Sequence, residues 1–204
     1  MITIIDYGLG NIQAFVNVYK RLHIPVQVAR CAEELAGAQK LILPGVGAFD
    51  HAMERLEASG MRATLDRLVR QDKVPVLGIC VGMQMLADSS DEGRLPGLGW
   101  VPGRVVSFRS NPGLEAIALP HMGWNDVQAV NGNPLLKGFE DEARFYFLHS
   151  FYFECTHAEH ASARSSYGLN FSCAVASDNV YGVQFHPEKS HHFGVGLLKN
   201  FAEL

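Results

Sequence analysis

The chain has 204 residues, 48% of them hydrophobic and 19% charged, with a formal net charge of -4. That length suits a single domain over residues 1–204 with a sizeable core, and the composition is that of a compact globular protein. The weakly acidic balance excludes an electrostatic grip on nucleic acid or an anionic membrane, and no apolar run reaches the about 20 residues a spanning helix needs.

The start, Met1-Ile2-Thr3-Ile4-Ile5-Asp6, reads as a strand; it has no basic n-region and so is not a signal peptide. Further strands are predicted over 26–28, 41–43 and 76–79, with helices over 11–22, 33–36 (short) and 61–71. Met61, Leu65, Leu68 and Val69 give the last of these its helical spacing. Apolar strands alternating with helices imply a parallel sheet covered on both faces, with ligands at the carboxyl ends of its strands. The second half reads as short strands over 100–108, 116–119, 125–129, 144–148, 173–176 and 180–185. Turns such as Asn131-Gly132-Asn133-Pro134 separate them. A helix over 193–201 closes the domain. The expected fold class is α/β, three layers, with a central mostly parallel sheet and antiparallel additions.

Two segments carry the chemistry. Gly78-Ile79-Cys80-Val81-Gly82-Met83-Gln84 follows the apolar run 74–77 and has the G-x-C-x-G form of a nucleophile elbow. Gly78 and Gly82 leave room for a strand that turns sharply into a helix, with Cys80 at the tip. The helix N-terminus and a neighbouring imidazole both favour thiolate over thiol. His186-Pro187-Glu188 follows the apolar run 180–185. Pro187 biases His186 towards an extended conformation at a strand end, and Glu188 stands two residues on to orient the ring. Cys80, His186 and Glu188 together make a Cys-His-Glu triad for acyl transfer through a covalent intermediate.

Other segments are less specific. Leu43-Pro44-Gly45-Val46-Gly47 follows a strand and can free backbone N–H groups for an oxyanion, although turn glycines are common. Asp6-Tyr7-Gly8-Leu9-Gly10-Asn11 has neither the third glycine of a dinucleotide fingerprint nor a Walker lysine, so nucleotide binding is rejected. Gln84 either bonds an amide substrate or faces solvent from its helix. His121-Met122-Gly123-Trp124-Asn125 and the run 146–151 place aromatics beside polar groups, as core or as a partner-facing patch. Four cysteines lie at 31, 80, 155 and 173 without metal-ligand spacing. They read as reduced thiols in a cytoplasmic protein, with Cys31, Cys155 and Cys173 structural. His191 and His192 point apart on a helix, so no metal and no cofactor are expected.

These motifs resemble class I (triad) glutamine amidotransferases over essentially the full length, and within them the glutaminase subunits of imidazole glycerol phosphate synthases. The Cys and His-Pro-Glu motifs mark the broad family. Pro44-Gly45-Val46-Gly47, Gly123-Trp124-Asn125 and Lys189-Ser190 mark the branch. The resemblance implies a flavodoxin-like three-layer fold and hydrolysis of glutamine through a thioester on Cys80, with His186 protonating the departing ammonia. It further implies Val46, Gly47 and the N–H of Val81 at the oxyanion, and Gln84 with the backbone at Ser150 and Phe151 around glutamine. Ammonia would pass through a channel to a (β/α)-barrel cyclase subunit, forming a heterodimer whose interface takes in Asn11, Trp124, Tyr146 and Lys189. Val81 stands where leucine is commoner and Phe151 where tyrosine is frequent, and the segment 154–169 matches only loosely. The ending Lys189-Ser190-His191-His192-Phe193-Gly194 also resembles a paralogous branch that feeds ammonia to a sugar-amidinating enzyme. A stand-alone cysteine hydrolase and a non-catalytic scaffold are the readings of other classes.

Overall fold

The structure is a computed structural model that describes residues 1–130, 132–139 and 142–204, so Asn131 of the predicted turn lies outside the described residues. The first half runs β1 (Ile2–Ile5), α1 (Ile12–Arg21), β2 (Val26–Ala29), β3 (Lys40–Gly45), α2 (Phe49–Ala58), α3 (Arg62–Asp66), β4 (Val76–Cys80) and α4 (Val81–Gln84). The second half runs β5 (Ser89–Ser90), β6 (Gly103–Ser107), β7 (His121–Ala129), β8 (Ala143–His149), β9 (Phe151–Cys155), β10 (Ala161–Tyr167), β11 (Leu169–Ser177), β12 (Val180–Val183) and α5 (His191–Glu203). Among the described residues no helix is long and apolar enough to cross a membrane.

One sheet joins the two halves in the order β2-β1-β3-β4-β12-β11-β10-β7-β8, with β5, β6 and β9 as a branch off β11. The strands from β2 to β12 pair in parallel, and those from β12 to β8 pair antiparallel. β1 and β4 are buried along their whole length, which is why they read as unbroken apolar runs. The crossovers β1 to β2 and β3 to β4 travel in opposite directions along the sheet. Right-handed connections therefore put their helices on opposite faces. α1 packs against α5 on one face, and α2 packs against α4 on the other.

Several predicted elements differ. The sequence reading omits α2, whose buried face is Phe49, Ala52, Met53 and Leu56 at helical spacing. The helix expected over 61–71 is α for Arg62–Asp66 and then widens into a π turn over Arg67–Gln71. The strand expected over 116–119 is not formed. Ile117 N–H closes a turn onto the Leu114 carbonyl (3.0 Å), and the Ala118 carbonyl accepts from the Tyr167 hydroxyl (2.6 Å) instead of a ladder partner. Pro120, directly after, has no N–H to extend a ladder. The loosely matched segment 154–169 contains the end of β9 and all of β10, which lies between β11 and β7.

Candidate active site

The site is assembled at the carboxyl ends of three neighbouring strands, β3, β4 and β12. Register places Gly45 of β3 beside Cys80, and Val183 of β12 beside Ile79. The chain then turns sharply at Cys80, which sits at φ 56° and ψ -115°. A residue with a Cβ holds a positive φ only where its surroundings impose it. Here the glycines do so. A Cβ on Gly82 would run into the Leu43 carbonyl oxygen, and one on Gly78 would lie 2.6 Å from the Gly82 carbonyl oxygen. Their absence lets α4 sit directly on the backbone of β3 and β4, with Cys80 at its N-cap.

His186 lies three residues beyond β12. Its N–H donates to the Tyr146 carbonyl (2.8 Å), and its carbonyl accepts from the buried Ser190 hydroxyl (2.6 Å). The same hydroxyl accepts from the Tyr146 N–H (3.0 Å), so Ser190 ties the His186 backbone to β8. The ring reaches Glu188 through Nδ1 (2.8 Å to Oε1), and both side chains are almost wholly buried. Burial opposes a charged imidazole, but hydrogen bonds and charge interactions with Cys80 and Glu188 outweigh it and push His186 up to about 9. The site thus favours the charged imidazolium, with a carboxylate at one nitrogen and the sulfur as its other partner.

Cys80 and His186 open into a cavity of about 290 Å³, walled also by Val46, Gly47, Val81, Gln84, Glu92, Leu148, His149, Ser150, Phe151 and Lys189. Val46, Gly47 and Val81 thus line the same cavity as Ser150 and Phe151. Gln84 does not face solvent. It is 3% exposed, and its NH2 group donates to Gln184 Oε1 (3.0 Å) and the Phe151 carbonyl (3.5 Å). Asn11 lies away from this wall. Its side chain caps α1 by accepting from the Ala14 N–H (3.3 Å). Trp124 is exposed, with Tyr146 against its edge and the His191 ring stacked on it at 5.4 Å. Lys189 Nζ lies 5.8 Å over the Tyr146 ring. Tyr146 and Lys189 thereby link the exposed aromatic patch to the cavity.

Sequence reasoning missed four contributors. Glu92 brings a carboxylate into the cavity and accepts from the Phe49 N–H (2.9 Å), yet it sits in an unremarkable polar loop. Gln184 is fully buried, and its NH2 lies 3.9 Å from Cys80 Sγ. Its signal was a lone amide inside the apolar run before His186. Tyr7 donates its hydroxyl to the Pro44 carbonyl (2.7 Å), anchoring the strand end from which Val46 and Gly47 project. His149 lies in the aromatic run 146–151 but was not singled out.

The chain is similar to known proteins along its whole length. A family model described as glutamine amidotransferase class-I matches residues 3–203. Among curated proteins, the chain is 73% identical over the full length of both chains to "Imidazole glycerol phosphate synthase subunit HisH" of Bdellovibrio bacteriovorus. It is 50% identical, again over the whole of both, to the protein of that name from Leptospira interrogans. Among solved structures, one titled "Crystal structure of glutamine amidotransferase" superimposes with a TM-score of 0.75 at 19% identity, over 100% of this chain and 99% of that one. PurLQS from Thermotoga maritima gives a TM-score of 0.74 at 16% identity, over 99% and 97%. These last two show the fold alone. With the elbow at Cys80, the His186–Glu188 pair and a family match across almost the entire chain, this protein belongs to the class I glutamine amidotransferases.

Proposed function

We propose that this chain is the glutaminase subunit of an imidazole glycerol phosphate synthase, hydrolysing L-glutamine and passing the ammonia to a (β/α)-barrel cyclase subunit in a heterodimer. The observation that carries the chemistry is a cysteine on a strained elbow, paired with a buried imidazole that Glu188 holds at 2.8 Å. The relatives named above support the choice of pathway.

Cys80 Sγ attacks the side-chain amide carbon of glutamine and forms a C–S bond. The amide oxygen takes up the negative charge, facing the N–H groups at Val46, Gly47 and Val81. His186 delivers its proton to the amide nitrogen as the C–N bond breaks, and ammonia leaves. A water then attacks the thioester, His186 accepting its proton, and the C–S bond breaks to release glutamate. Glu188 holds the ring and stabilises its charge throughout. Glu92 offers an anionic partner to the substrate's α-ammonium, while Ser150, Phe151 and Gln84 line the same cavity. Asn11, Trp124, Tyr146 and Lys189 meet the cyclase. No cofactor enters any step. A thiol nucleophile works only while reduced, which fits the cytoplasm.

Val46 is 40% exposed and Gly47 sits at φ 86°, so this arm of the oxyanion site is the least constrained. A peptide turned the wrong way would present a carbonyl to the developing charge, and losing one donor costs about 3 kcal/mol. Idle activity is then low until a loaded partner biases the strand. The test is glutamate release by the chain alone and with a cyclase barrel carrying its nucleotide ligand, with Cys80→Ala as control. Strong stimulation that the variant lacks supports the reading. A well-folded chain that the barrel does not stimulate refutes the pathway assignment and directs the search to a sugar-amidinating partner.

A further inference from the structure

From His149 in the cavity wall, a chain of hydrogen bonds that the mechanism does not use runs back into the protein. His149 Nδ1 lies 2.7 Å from the Phe151 carbonyl oxygen, and its Nε2 lies 2.9 Å from His121 Nδ1. His121 Nε2 lies 3.2 Å from Asn125 Nδ2, which also donates to the Ser166 carbonyl (2.8 Å). The direction of every bond follows from chemistry. A carbonyl only accepts, so His149 Nδ1 carries the hydrogen. A neutral imidazole has one N–H, so His149 Nε2 is an acceptor and His121 Nδ1 must donate to it. His121 Nε2 is then an acceptor, and it meets the one kind of group that can supply a hydrogen, the Asn125 NH2. The Asn125 amide is itself oriented, because its Oδ1 accepts from the Asp126 N–H (2.8 Å). An imidazolium at either histidine would set two N–H groups against each other. Both rings are buried, with 4% and 6% exposure, and burial pushes both below the ordinary histidine range.

Building on the glutaminase reading, we propose that His149 and His121 are positioning residues. Their two Nδ1–H imidazoles hold the Ser150–Phe151 wall of the glutamine cavity and tie it to β7. The Phe151 carbonyl has two donors on it, His149 and Gln84, and the Ser150 carbonyl accepts from the Phe108 N–H (3.4 Å). Both carbonyls of the dipeptide are thus committed within the protein. The relay ends on β7, where residues alternate between faces. His121 and Asn125 point inward to the relay, while Met122 and Trp124 on the other face are 65% and 41% exposed. A partner seated on Met122 and Trp124 presses on the same strand that holds the substrate wall.

The first test is imidazole ¹⁵N NMR on the full chain. It should show His121 and His149 as neutral Nδ1–H tautomers at pH 7; an Nε2–H tautomer or an imidazolium at either position would overturn the relay. The second test is kinetic, with the cyclase subunit present. His121→Phe keeps an aromatic ring between Phe147 (4.8 Å) and Tyr167 (4.2 Å) but removes the donor to His149. It should raise KM for glutamine about fivefold or more, with kcat within about twofold, as expected for loss of one buried hydrogen bond. Alkylation of Cys80 by iodoacetamide, which needs no glutamine recognition, should keep its rate. His121→Asn places an amide NH2 where Nδ1 was and should restore KM. An unchanged KM in His121→Phe, or an equal rise in both variants, would show that the relay does not position the wall. Absence of glutamate release in the unmodified protein would count against the glutaminase reading, while the tautomers and calorimetric glutamine binding still decide the relay.

Discussion

Replacing Glu188 by glutamine isolates what the carboxylate contributes. The amide oxygen can keep the 2.8 Å bond from His186 Nδ1, and the amide NH2 takes the place of Oε2, a buried atom with no hydrogen-bond partner. The variant should therefore fold, with only the charge removed. His186 is raised from 6.5 to about 9 despite its burial. At about 1.4 kcal/mol per pH unit this is a net of about 3 kcal/mol in favour of the imidazolium, left after the interactions with Cys80 and Glu188 have outweighed the cost of burial. Without the carboxylate, burial has only the sulfur to oppose it, and the ring sheds its proton nearer to neutral pH. The ring is also free to take the wrong tautomer, a defect that costs about 10⁴-fold in the serine-protease triad. Glutamate release should fall by about 10²- to 10⁴-fold at pH 7.5, measured with the cyclase present at saturating glutamine. The alkaline limb of the rate profile should lie at lower pH in the variant than in the unmodified protein. That limb belongs to the coupled Cys80–His186 pair and not to one residue. A variant within threefold of the unmodified rate, with an unmoved limb, would refute a charge role for Glu188.

Three further outcomes are expected. Gly82→Ala forces a Cβ against the Leu43 carbonyl; it should destabilise the fold by about 1–3 kcal/mol in urea melts and cut turnover, and a variant as stable and active as the parent would contradict the tight elbow. Acid should destabilise the protein through His121 and His149, whose folded-state values, about 4 and about 3, lie below the unfolded value of 6.5. The unfolded chain then binds more protons, so their contribution is complete above pH 6.5 and fades by about 1.4 kcal/mol per group for each unit below it, until the folded values are reached. Urea melts at pH 7 and pH 5 would show this, and His121→Phe should flatten the decline. Trp124→Ala removes the largest exposed ring of the patch and should weaken cyclase binding by tenfold or more in titration calorimetry, as for a central aromatic anchor. Unchanged affinity would move the docking surface elsewhere.

Legibility in the sequence followed burial. β1, β3 and β4 are buried on both faces, so their apolar runs were readable without knowing their neighbours. β10 was not readable. Its residues Ala161, Ser162, Ala163, Ser165 and Ser166 carry no strand preference of their own, and it forms because β11 and β7 offer ladder partners on either side. The run 116–119 failed in the opposite sense, apolar enough for a strand but used as loop packing, with Ile117 and Leu114 lying close to Gly168. α2 was legible in principle, since Phe49, Ala52, Met53 and Leu56 keep helical spacing directly after the glycine loop. In the site, Cys80, His186 and Glu188 were visible because their function needs local backbone geometry, which glycine and proline write into the sequence. Glu92 and His149 bond to Phe49 and His121, distant in the chain, and nothing near them in sequence marks that, while Gln184 left only the faint mark of a lone amide in an apolar run.

The order of the strands explains why the site has one loose part. Cys80 and His186 come from sequence positions more than a hundred residues apart, yet β4 and β12 are paired neighbours, and both residues are buried, with Cys80 Sγ donating to the Leu148 carbonyl and accepting from the Gln184 NH2, and the His186 carbonyl accepting from the Ser190 hydroxyl. The proposed nucleophile and its base are therefore fixed by the sheet itself. Gly45 is fixed likewise, opposite Cys80 at the end of β3, with Tyr7 anchoring the Pro44 carbonyl just before it. Beyond Gly45 the ladder ends. Val46 and Gly47 line the cavity with no strand pairing to hold them, and Val46 is 40% exposed, so they are the part of the proposed oxyanion site most open to a partner's influence. Firmly held reacting groups beside a donor arm without strand pairing suit the proposed coupling to a partner subunit. Ammonia made without an acceptor is glutamine wasted, and under the proposed function a donor set in place by the partner delays the first bond until the acceptor is ready.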